Sequence, residues 1–232
     1  MTILSEQLID RFVLASAGFE RRLRAVWPDQ WHWPTPCTEW DVRQLVNHTT
    51  RGNLNYIDLL EGGSAAQFLR LRDADALDSK ALGGNALGGN ALDSKALSGN
   101  ALGGKALDAY TRSVRECAEA FARPDALRQI LDYPLGRVTG EQALAVRLTD
   151  SAIHTWDLAR AIGADEDLDA GLVTWIDDHL EQIYAGLAET PTAADTTHRF
   201  FAVPGDSPGA GASRQDRLLH RMGRRVSRDP VT

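Results

Sequence analysis

Cysteine is scarce in this chain of 232 residues: there are two, Cys37 and Cys117, far apart and in no metal-type spacing. That excludes a disulfide framework and a thiolate zinc cluster, and free thiols in a reducing compartment are expected. Long apolar runs are also missing. Nothing approaches the roughly 18–20 residues that a membrane span requires. The opening MTILSEQLID has no basic region ahead of an apolar core, so no secretory signal is expected. Positive charge is outnumbered, 25 Lys and Arg against 32 Asp and Glu. An acidic balance argues against nucleic acid or an anionic membrane as a generic partner. These absences predict a cytoplasmic protein with no nucleic-acid or membrane partner; monomer and homodimer both stay open.

What is present is helical periodicity. Leu4, Leu8, Phe12, Ala15, Phe19, Leu23 and Trp27 recur at steps of three or four, predicting an amphipathic helix that stops at Pro28. The segment WPDQWHWPTPCTEW holds three prolines and four tryptophans. Proline blocks helical hydrogen bonds, so an irregular loop packed through its indoles is expected. Thr38 with Asp41 reads as the capping pattern of a second helix, with Val42, Leu45, Val46, Leu54, Ile57 and Leu60 inward and Gly62-Gly63 at its end. A third long helix carries Tyr110, Val114, Cys117 and Phe121. RQILDYPLGRV reads as an extended pair or hairpin. Thr139 and Gln142 form a capping box for a fourth helix through Ile162, closed by Gly163. A fifth helix spans about 169–188, and Ser213 with Asp216 caps a short last one.

Residues 74–109 break this pattern. Leucine recurs every five residues from Leu77 to Leu107, each preceded by alanine, with fillers such as GGN and DSK. Five matches neither the helical repeat of about 3.6 nor the strand repeat of about 2. A pentapeptide solenoid needs a stackable core, and these few glycine-rich units offer little of one. A low-complexity insertion forming a mobile loop is the expectation, with helix allowed at either end.

The chemistry gathers on the fourth helix, LTDSAIHTWDLARAIG. Asp150 and His154 are four apart and share one helical face, a spacing at which carboxylate and imidazole can hold one cation together. Spacing alone equally allows a surface ion pair. His48, in the middle of the second helix, is the natural third candidate, because His32, His179, His198 and His220 lie in loop, acidic or tail surroundings.

Two stretches carry a family resemblance. TPCTEWDVRQLVNH resembles the first signature of the mycothiol-dependent maleylpyruvate isomerase-like metal-binding proteins, an actinobacterial group within the DinB/YfiT-like bundles. DSAIHTWDLARAIG resembles their second, in which an acidic residue precedes a His-x-Trp-Asp-Leu-Ala run. The likeness runs from residue 4 to about 188, and SRQDRLLHRMGRR is similar to the close of the group's small members. It implies an all-α, DinB-like four-helix bundle over 1–190, decorated by the hairpin and the 74–109 insertion, with a short tail and terminal helix over 191–232.

It also implies a divalent ion held by His48, Asp150 and His154. Two histidines and one carboxylate are a recognised zinc set, and Ni, Fe or Mn suit it as well. The resemblance further implies thiol chemistry, a small thiol such as mycothiol being transferred to an electrophile. The family's thiol-transferring isomerases have Glu where Asp150 stands and carry a separate C-terminal domain. A non-catalytic or stress-associated metal protein, or a metal-dependent hydrolase, are the alternatives. No catalytic residue is assigned. The candidates are Arg147, to orient Asp150 or bind an anion, and Asp157, to hold a ligand's second ring nitrogen or to pair with Arg160 or Arg43. Trp40 is expected in the core. Cys37 is expected to be a buried, inert thiol rather than a pocket wall. Asn47 and Thr50 are weak candidates for pocket contacts.

Overall fold

The computed structural model describes residues 7–38, 40–77, 99–187, 209 and 211–226. Helix α1 (Leu8–Leu23) buries Leu8, Phe12, Ala15, Phe19 and Leu23, at steps of three and four, against the other long helices. It ends before Trp27, which is 69% exposed, so the helix is shorter than its apolar spacing suggests. The loop that follows is only half packed. Trp31 is buried and Trp40 partly so, whereas Trp33, like Trp27, faces solvent.

Helix α2 (Val42–Leu60) begins later than Thr38. Asp41 is its N-cap, and Asp41 with Gln44 completes a reciprocal capping box. The reason lies in the loop. Val42 N donates to Trp33 O at 3.0 Å and Thr35 N to Trp40 O at 3.2 Å, and this bridge keeps Trp40 and Asp41 out of the helix. A short helix that periodicity missed, α3 (Ala65–Leu71), starts on a Ser64 cap and inserts Phe68 into the core.

The insertion divides. Residues 78–98 lie outside the described part. Asp75, Ala76 and Leu77 are anchored: Asp75 pairs with Arg43 at 2.7 Å, and Ala76 N donates to Asn47 Oδ1 at 2.8 Å. At the far end the helix that the sequence allowed is present and reaches well into the repeat. Helix α4 (Gly99–Phe121) starts inside the repeat, and Ala106 is fully buried. Alanine and leucine favour helix strongly enough that tertiary burial of one face carries it through two repeat units.

Strands β1 (Ile130–Tyr133) and β2 (Gly136–Thr139) form the expected antiparallel hairpin. Helix α5 (Gly140–Ile162) starts on the Thr139 cap and stops at Gly163, whose φ of 67° suits a residue without Cβ. Its capping box is half formed, because the Gln142 side chain donates to Ile183 O and Ala185 O instead. Helix α6 (Ala170–Ile183) and helix α7 (Arg214–Arg221), the latter with a complete Ser213/Asp216 box, close the chain.

The long helices α1, α2, α4 and α5 form an all-α four-helix bundle of DinB-like type, with α1 on α5 and α2 on α4, while α6 packs on α5 and α7 on α6. Leu218, Leu219 and Met222 place α7 in the same core as Phe12 and Trp156. Helix α5 is the centre. Residues 143–149 and 151–159 are all buried, and Asp150 alone between them is partly open. No helix among the described residues is long and apolar enough to cross a membrane.

Two apolar lobes flank a buried polar layer. Phe19, Val46 and Tyr110 belong to one lobe, Phe12, Tyr56 and Cys117 to the other. Asn53 and Ser113 lie between them: Asn53 Nδ2 donates to Ser113 Oγ at 3.0 Å, and Ser113 Oγ to Tyr110 O at 2.7 Å. Buried polar groups persist when they are paired, and this layer leads directly to Asp150.

Candidate metal centre

His48 on α2 and Asp150 and His154 on α5 meet at one point. Asp150 Oδ1 lies 3.2 Å from His154 Nε2, and Asp150 Oδ2 lies 3.7 Å from His48 Nε2. The two imidazoles stand nearly perpendicular, centroids 5.0 Å apart. One donor atom from each residue falls within 4.8 Å of the others. A tetrahedral zinc ion with bonds near 2.1 Å sets its ligands about 3.4 Å apart. The donor set therefore fits such an ion in chemistry and in spacing. The His154 side chain is 3% exposed, but His48 and Asp150 are 18% and 16% exposed, so one side of the cluster opens outward.

The electrostatics separate the two histidines. Burial pushes His48 below its ordinary pKa, despite its hydrogen bond to Asp150, so its ring favours the neutral form. Burial also works against a charged His154, but Asp150, with help from Asp157, outweighs it and holds that ring well above its usual value. Asp150 is buried too, yet His154 and Arg147 hold its carboxyl well below the usual range.

Arg147 is no surface residue; it is 1% exposed. Nη1 pairs with Asp150 Oδ2, Nε donates to Asn53 Oδ1 at 2.7 Å, and Nη2 to Thr49 O at 2.9 Å. Each of its three nitrogens has a named partner, so it orients Asp150 and links it to the polar layer. Gly52 makes room for it: a Cβ there would lie 2.9 Å from Nη1.

Asp157 is fully buried beneath His154. His154 Nδ1 lies 2.8 Å from Asp157 Oδ2, the usual arrangement by which a carboxylate orients a ligand imidazole. The cation opposite Asp157 is neither Arg160, which pairs with Glu166, nor Arg43, which pairs with Asp75. It is Arg224, with Nε–Oδ1 at 3.0 Å and Nη2–Oδ2 at 2.6 Å. Burial opposes the charge on both, and their mutual attraction overrides it, lowering Asp157 and raising Arg224. Sequence reading missed Arg224. Its only signal is Gly223, φ 75°, which turns the chain back after α7 so that Arg224 N reaches Leu219 O at 2.8 Å.

Cys37 also adjoins the site rather than an inert interior. Its Sγ is half-buried, 3.4 Å from Asp157 Oδ2 and 3.9 Å from His154 Nδ1. Trp40 packs against His48, ring centroids 4.3 Å apart and planes tilted by 31°. His48 Nδ1 is buried and has no hydrogen-bond partner among the described residues, so His48 is held by ring packing where His154 has a carboxylate. Asn47 and Thr50 turn elsewhere, Asn47 to residues 74 and 76 and Thr50 to Val46 O. His32 and His179 pair with Asp41 and Trp175.

The profile of the mycothiol maleylpyruvate isomerase N-terminal domain matches residues 12–159, which include all three donors. Two uncharacterized proteins of Mycobacterium tuberculosis, from the H37Rv and CDC 1551 strains, are each 28% identical over 158 residues, covering 68% of this chain and 69% of theirs. No solved structure gives a significant match.

Proposed function

Because the chain belongs to the mycothiol maleylpyruvate isomerase N-terminal domain family, we propose that it binds one divalent cation, zinc first among them, through His48, Asp150 and His154, and uses it in S-transfer or isomerisation with a low-molecular-weight thiol. The observation that carries this reading is the convergence of three donors from two helices within 4.8 Å. The family suggests mycothiol as the thiol. Three protein ligands leave a coordination position at which a bound zinc ion stabilises a thiolate at neutral pH.

The chain's own residues do the rest. His154 presents Nε2 because Asp157 engages Nδ1. Arg147 fixes the Asp150 carboxylate from the buried side, leaving the opposite side for the reacting molecule. Trp40 covers the His48 ring and limits water there. A bundle domain of 1–190, with the tail supplying Arg224 to it, is the organisation this reading uses.

Elemental analysis of the purified chain beside His154→Ala tests the metal. The parent should carry close to one divalent ion per chain, and the variant should lose at least about 90% of it, since one buried ligand and its oriented partner go together. A metal-free parent that takes up none on incubation with Zn2+ would refute the reading. Thiol consumption with a panel of electrophiles then tests the activity. A metal-loaded chain that consumes no thiol, or that instead hydrolyses esters, would leave metal binding standing and remove the transferase.

A further inference from the structure

His154 has a donor cluster on each side. Nε2 faces Asp150 and His48; Nδ1 faces Asp157 and Cys37. The second cluster also satisfies the spacing of a cation site: one donor atom each from Cys37, His154 and Asp157 lies within 4.8 Å of the others. With a thiol among its donors, it is the softer of the two and would be the better match for zinc or cobalt on ligand type alone.

We infer that Arg224 is the resident cation of this second cluster, and that by filling it the guanidinium decides which side of His154 takes a metal ion. Its Nη2 lies 2.6 Å from Asp157 Oδ2 and 3.3 Å from Cys37 Sγ, and its Nε lies 3.0 Å from Asp157 Oδ1. Both carboxylate oxygens and the sulfur are thereby engaged by one planar charge. A divalent ion cannot reach them without displacing a buried, bidentate pair. Arginine suits this duty because it stays charged and its fork fits a carboxylate. The Asp157 carboxylate, held flat against the guanidinium, keeps one oxygen on His154 Nδ1, which leaves Nε2 as the ring's metal-facing nitrogen.

Arg224 acts as a selectivity residue through Asp157 and Cys37, which it holds directly, rather than as a metal ligand. It lies outside the family-matched stretch, on the turn that follows α7. The inference rests on the proposed metal site only in supposing that the first cluster is the one loaded in the parent.

Cobalt(II) is the probe, because a protein thiolate bound to it gives a sulfur-to-cobalt charge-transfer band in the near ultraviolet. The parent, Arg224→Met, Arg224→Lys and the double variant Arg224→Met/Cys37→Ser are each loaded with cobalt alone. Bound cobalt and the spectrum are recorded beside circular dichroism. The parent should hold about one cobalt and show no band, Arg224→Met should gain the band, the double variant should lose it, and Arg224→Lys, which keeps a cation in place, should resemble the parent. A merely structural arginine would alter stability but not create sulfur ligation. A band in the parent, or a folded Arg224→Met without one, overturns the inference. If Arg224→Met does not fold, Arg224→Gln, which keeps a neutral polar group against Asp157, is read in its place: a band there upholds the inference and a folded Arg224→Gln without one overturns it. A parent that takes no cobalt while Arg224→Met gains the band would sink the proposed function and leave this inference intact.

Discussion

The tightest steric condition at the site rests on a residue with no side chain. Gly52 on α2 stands against the guanidinium of Arg147, and a Cβ would meet Nη1 at 2.9 Å and Cζ at 3.1 Å. Arg147 cannot yield, since Asn53, Thr49 and Asp150 hold three of its nitrogens. Gly52→Ala would gain about 0.5–1 kcal/mol of helix propensity against about 1–3 kcal/mol of overpacking. The variant should be destabilised on balance, and its chemical-denaturation midpoint should fall. A midpoint at or above the parent's would show that Arg147 moves freely. Asp150 and His154 were legible because helical spacing fixes their relation. His48 joined them through resemblance. The duties of Arg147, Cys37 and Arg224 were not legible, because each depends on which element packs beside it, and Arg224 reaches Asp157 across 67 residues of chain.

At the scale of elements, caps and periodicity placed most helices and the hairpin, with errors at their ends. Thr38 has the right chemistry for a cap, but loop hydrogen bonds around Trp33 and Trp40 shift the start to Val42. The period-five repeat hid the beginning of α4, because neither glycine content nor spacing reveals that Ala106 meets Phe19 and Val46 in one lobe. Deleting residues 74–106 should therefore not be neutral. It removes the Asp75–Arg43 pair, both Asn47 hydrogen bonds and the buried Ala106. A loss of at least about 2 kcal/mol is expected from such combined losses, read as a drop in denaturation midpoint; an unchanged midpoint would return that stretch to the status of a free loop. At the other key helix end, Thr139→Ala should cost about 1 kcal/mol, since Thr139 Oγ1 accepts from Gln142 N at 3.1 Å. Metal uptake by the proposed site should not change, because Asp150 and His154 sit about three and about four turns inside α5.

For the whole molecule, the fold shields five groups that ionise at high pH. Burial raises Tyr56, Tyr110, Tyr133 and Tyr184, all four tyrosines, and pushes the Cys117 thiol up to about 12. Unfolded, the same groups release protons near about 8.5 for cysteine and about 10 for tyrosine. The folded chain thus binds more protons than the unfolded one above that range. Stability is intact below it and falls as pH rises through it. The free energy of unfolding, followed from pH 7 to 11, should decline above about pH 9; a flat profile would mean that these side chains are already open to water. The union of Asp157 with Arg224 also has a history in time. Sixty-seven residues separate them, and at about 5–20 residues per second a ribosome takes roughly 3–13 s to make that stretch. For those seconds a newborn copy has Cys37, His154 and Asp157 but not the arginine that closes them, so the pairing that completes the buried layer under His154 is among the last events of its synthesis.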